Sequence, residues 1–171
     1  MKIYITSIFA ALLIFFSSMD EPADSANRFA QAPDFKVENS FRSLSSGDLK
    51  GKYVILSFWS PKDTASRIRN SRLAKEIAAQ TPEGVRLVSV NTDSDAALAA
   101  SVLGIDGVSA ENQFNLYDLE NSRALFADWS VASGNRVFLI NPEGRIERIN
   151  PSEAELDALL EGSYSSPRFN S

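Results

Sequence analysis

The chain has 171 residues, 44% hydrophobic and 23% charged, with a formal net charge of −5, which suits one domain with its own core plus a short extension. Its Lys and Arg are scattered through an acidic sequence, which excludes the clustered basic footprint of a nucleic-acid binder. It has neither Cys nor His, which excludes disulfides, thiolate nucleophiles, iron–sulfur clusters, Ser-His catalysis and Cys- or His-ligated metals, so no cofactor or metal is expected.

Lys2, an apolar run over 3–16, then Ser17, Ser18, Asp20 and Glu21 follow the charged, apolar, polar order of an export signal. The apolar run is shorter than the ~20 residues of an ordinary spanning helix. Residues 1–25 are therefore read as a signal peptide or an uncleaved anchor, and 26–32 as a linker. This places the chain in the periplasm, or at the inner membrane facing it. Membrane contact is expected only through an uncleaved N-terminal segment. The domain is read over 33–162, with a flexible tail over 163–171.

Residues 32–37 predict a short edge strand entered through Pro33, and 45–52 a polar turn. Residues 53–59, Tyr-Val-Ile-Leu-Ser-Phe-Trp, are apolar on both faces, as at the centre of a covered parallel sheet. Ser60-Pro61-Lys62 breaks the chain, and Asp63 or Thr64 can cap the helix that follows. Its expected buried side carries Ala65, Ile68, Leu73, Ala74, Ile77 and Ala78. A second buried strand is predicted over 85–90, a helix over 96–103, a loop over 104–113 and a short strand over 114–117. A helix over 122–129 carries Leu125, Phe126 and Trp129. Residues 136–141 and 145–149 read as a hairpin around Pro142-Glu143-Gly144, and Ser152 with Glu155 as the capping box of a last helix to about 160. The expected fold class is α/β, a central mixed sheet with helices on both faces.

That order resembles the thioredoxin fold. Residues 32–35 (Ala-Pro-Asp-Phe), 49–52 (Leu-Lys-Gly-Lys), 54–59, 88–93 and 137–146 resemble envelope thioredoxin-like proteins of the TlpA/ResA type, in the redoxin and AhpC/TSA group. The likeness covers about residues 32–162. It implies thiol–disulfide chemistry from a Cys-x-x-Cys pair and a cis-proline facing that pair. Here Asp63 and Ser66 stand at the two cysteine positions and Asn135 at the proline; Ser71 lies near a further proline of the family's first helix. Residues 60–64 also resemble a peroxiredoxin loop, without its cysteine.

Asp63 is a good helix cap and a poor nucleophile, and the Ser66 hydroxyl has no His to activate it. Asp93 and Asp95 read as helix caps before cation ligands, and Trp129 and Phe126 as core before ligand groove. Trp59 is open between packing and surface contact. The leading reading is a redox-inactive binding or scaffolding module of the bacterial envelope, whose partner is another envelope protein or polypeptide. An unrecognised carboxylate-based activity within this oxidoreductase and peroxiredoxin-like group, or a structural subunit, are the alternatives. The expected docking patch comprises Trp59, Pro61, Asp63, Gly134 and Asn135; the alternative is a surface elsewhere.

Overall fold

The computed structural model describes residues 30–80, 83–115, 127–129 and 136–166. The leader, residues 1–25, and the positions of Gly134 and Asn135 lie outside them, as does most of the helix expected over 122–129. The strands are β1 (Lys36–Glu38), β2 (Ser43–Ser45), β3 (Tyr53–Trp59), β4 (Val85–Asn91), β5 (Gln113–Asn115), β6 (Val137–Ile140) and β7 (Ile146–Ile149). The helices are α1 (Thr64–Gln80), α2 (Ala96–Asp106) and α3 (Glu153–Leu160). One seven-stranded sheet runs β2-β1-β5-β4-β3-β6-β7.

β3 and β4 lie side by side and parallel, Tyr53 opposite Val85 through Trp59 opposite Asn91. Their apolar runs predict this, because a strand buried on both faces needs cover on both. Val54, Leu56, Phe58, Val88 and Val90 point into one core with Phe35, Phe114, Trp129 and Phe138. Ile55, Val85 and Leu87 point the other way, against Leu73 and Ile77 of α1 and Leu156 and Leu159 of α3. β6 pairs antiparallel with β3 and with β7, closing the far side of the sheet. The Ser152–Glu155 capping box of α3 forms, and Glu155 also accepts from Arg148 Nε at 2.7 Å.

Several local expectations are corrected. β1 is not the edge strand: it lies between β2 and β5, and β2, which no sequence signal marks and which takes in Ser45 of the expected turn, forms the edge. Within 45–52, residues 46–49 wind into a 3-10 turn that buries Leu49. α2 runs on to Asp106 before Gly107 ends it in the left-handed region, φ 63°, a conformation glycine adopts without strain. The phase of α1 also differs. Its buried stripe is Ser66, Asn70, Leu73 and Ile77, while Ile68 is 63% exposed. Two polar side chains displace the isoleucine because each finds hydrogen-bond partners inside, which removes the penalty for burying them.

Both ends of the described domain are engaged. Residues 30–32, read as linker, lie along β7: Ala32 N donates to Gly144 O (2.9 Å) and Ile146 N to Ala30 O (3.0 Å). In the expected tail, Tyr164 packs edge-on to Tyr53 with centroids 5.8 Å apart, and Ser166 Oγ donates to the buried Glu147 carboxylate.

Candidate functional site

Asp63 and Ser66, the two positions expected to stand for the family's cysteines, sit where β3 hands over to α1. Ser60 and Pro61 turn the chain, and Asp63 N donates to Ser60 O at 3.1 Å. The Asp63 carboxylate accepts the Ser66 amide at 2.7 Å, satisfying one of the helix's orphan donors. Asp63 O accepts Arg67 N at 3.0 Å, the first bond of the helix ladder. Ser66 is 3% exposed. Its hydroxyl donates to Asp63 O and accepts from Ser60 N, both at 3.2 Å. The pair therefore closes a loop onto a helix start. Neither a carboxylate nor an alkyl hydroxyl can take up and release electron pairs as a dithiol does.

A second loop, following β4, braces the first. Lys62 Nζ pairs with Asp93 Oδ2 at 2.9 Å. The Asp95 amide and then this ammonium hold the Asp93 carboxyl below its ordinary range. Asp95 Oδ1 caps α2 by accepting Leu98 N at 2.9 Å. Both aspartates are thus occupied as helix-start and loop residues. Among the described residues no group of three or more Asp or Glu is placed to hold a metal.

Trp59 resolves toward packing. It is 1% exposed and sits among Ala99, Val102, Leu103 and Val108. Its carbonyl accepts from Thr92 N (2.8 Å) and Thr92 Oγ1 (3.1 Å). Of the expected docking patch, Trp59 alone is corrected: α2 covers the indole, so Trp59 offers no surface to a partner, while Gly134 and Asn135 lie outside the described residues. Pro61 is half-buried. The approach of the loop before β6 is seen at its last residue, where Phe58 N donates to Arg136 O at 2.9 Å.

The basic residue after the motif, Arg67, reaches sideways to the end of α2. Its Nε and Nη2 donate to the two Asp106 oxygens at 2.9 and 2.6 Å, and Ser71 Oγ adds a third bond at 2.9 Å. The guanidinium holds the Asp106 carboxyl at about 2. Beneath α1 lies a contact no motif signals: Asn70 and Gln113 exchange amide hydrogen bonds at 3.0 and 3.4 Å, both side chains buried. The two residues are 43 apart in sequence, and only the fold makes them partners.

Comparison with known proteins agrees with this geometry. Residues 30–149 match the AhpC/TSA family. The chain is 26% identical over 127 residues to the thiol-disulfide oxidoreductase ResA of Bacillus subtilis (strain 168), covering 74% of this chain and 68% of that protein. A thioredoxin-like protein from Parabacteroides distasonis superposes with a TM-score of 0.62 at 29% identity, over 77% of this chain and 92% of that one. The thioredoxin domain of a Bacteroides vulgatus thiol-disulfide oxidoreductase superposes with a TM-score of 0.70 at 23% identity, over 81% and 98%. The strand–loop–helix handover that carries Asp63 and Ser66 thus sits in a thioredoxin-like fold of the TlpA/ResA type, and the chain belongs to the AhpC/TSA family.

Proposed function

We propose that this protein is a redox-inactive binding module of the bacterial envelope that has kept the fold of a thiol–disulfide oxidoreductase family without its chemistry. The observation that carries the reading is the state of the two motif positions. Asp63 and Ser66 are bonded to backbone groups of their own loop, and the sequence contains no sulfur nucleophile to replace them. The order of charge and apolarity in residues 1–25 supports export.

Insulin reduction, disulfide exchange and peroxide turnover, assayed with the purified full chain beside ResA, test the reading. No turnover above buffer is expected. Turnover that survives repurification and thiol-blocking reagents overturns it.

A further inference from the structure

Trp59 is buried, so an aromatic contact surface lies elsewhere among the described residues. Phe41 is the exposed aromatic of the described chain, 67% accessible at the tip of the β1–β2 turn. That turn is held tightly. Asn39 Oδ1 accepts the amides of Phe41 and Arg42, both at 2.9 Å, and Asn39 N donates to Arg42 O at 2.9 Å. Asn39 Nδ2 donates to Glu111 O (3.1 Å) and Gln113 O (3.0 Å), pinning the turn to the chain entering β5. Arg42 Nη2 donates to Asn112 Oδ1 at 2.7 Å, and its guanidinium lies 6.0 Å from the centre of the Phe114 ring. None of these bonds uses the Phe41 ring. A fixed backbone that turns an aromatic side chain into water gives a contact with little ordering left to lose on association.

Arg42 also lines a cleft of about 650 Å³ between α1, the start of β4 and the segment before β5. Its floor is apolar, from Ile77, Leu87 and Val108. Its cations are Arg42, Lys75 and Arg86; Lys75 acts on the Asp106 carboxylate across α1, while Arg42 and Arg86 have no ion-pair partner among the described residues. Arg42 and Arg86 instead donate to neutral oxygens, Arg86 Nη1 to Val85 O at 2.7 Å. Against them stand only Glu83 and Glu111. The lining therefore carries three cations against two carboxylates, on a chain whose net charge is −5.

We propose that the Phe41 turn and this cleft together dock an acidic segment of a partner polypeptide that carries an apolar side chain. The apolar side chain seats on the floor, Phe41 adds a contact from the turn that also carries Arg42, and the carboxylates face Arg42, Lys75 and Arg86. The inference rests on the binding reading above and gives it a surface and a partner chemistry.

The test uses the 15N-labelled full chain titrated with a short Glu/Leu peptide and, separately, a Lys/Leu peptide of equal length. The expected result is amide shifts confined to the Phe41 turn, Ile77, Arg86 and Val108 with the acidic peptide, weakened by added salt. Phe41→Ala, which removes only an exposed side chain, should weaken binding roughly tenfold and leave the melting temperature within about 2 °C. Arg86→Glu should weaken it comparably. Equal binding of both peptides, shifts centred on the Ser60–Thr64 loop, or no binding of either peptide overturns the inference. So do shifts of the same residues with protein concentration alone, which assign the face to a second copy. The binding reading fails by a different signal, turnover in the redox assays.

Discussion

Ser66 N donates to Asp63 Oδ1 at 2.7 Å, and Ser66 Oγ donates back to Asp63 O at 3.2 Å. The two residues thus bond to each other through the helix start, one side chain as cap and the other as a tie on the loop. The same spacing that would let two sulfurs meet lets a carboxylate and a hydroxyl share the first turn.

Asp63→Ala removes the cap and leaves the Ser66 amide without its acceptor. A loss of about 1 kcal/mol is expected in urea unfolding, with Asp63→Asn and Asp63→Ser retaining most of the stability. An alanine variant as stable as the parent shows that the first turn is satisfied in another way.

Asp63→Cys with Ser66→Cys places two sulfurs at the helix start, one turn apart. The pair should oxidise to a disulfide, because the helix N-terminus favours a thiolate there. Exchange with protein substrates should remain well below that of ResA, since residue 135 is Asn rather than the family's proline. An efficient reductase from these two substitutions alone refutes the role given to position 135.

Arg67 and Asp106 tie α1 to α2. The Asp106 carboxyl, ordinarily near 3.8, is held at about 2 in the folded state. A depressed carboxyl stabilises the fold above its unfolded value, and this contribution fades as pH falls from 3.8 toward 2. The shift corresponds to about 2 kcal/mol at most, and partial exposure of the pair lowers the expected cost of Asp106→Asn at neutral pH to about 1 kcal/mol. The variant should also lose that part of the pH dependence. Parallel parent and variant stabilities over the whole acid range contradict the pairing.

Asn70 and Gln113 should behave as a unit. Asn70→Leu alone strands the Gln113 amide and is expected to cost about 1–3 kcal/mol, as is Gln113→Leu. The double substitution should cost clearly less than the two losses together, because neither amide is then left unmatched. Additive losses refute the coupling.

The central strands are legible from residues alone. Val54 to Trp59 and Val85 to Val90 carry too little polarity for an exposed face, so covered parallel neighbours are the arrangement that satisfies them. Caps are equally local: Asp63, Asp95 and the Ser152–Glu155 box each act within three residues. Composition alone removes the sulfur nucleophile, since the chain contains no Cys.

Tertiary structure decided what depends on partners far along the chain. Periodicity placed Ile68 inside α1, yet Ser66 and Asn70 are buried instead, because the Ser60 amide and the Gln113 side chain wait there to bond them. Local sequence left Trp59 open between surface and core; α2, folded across it, made it core. β2 and the Ala30–Ala32 segment hold extended shapes only against β1 and β7. A short segment has too few internal bonds to offset its own ordering, so its conformation is set by the edge it meets.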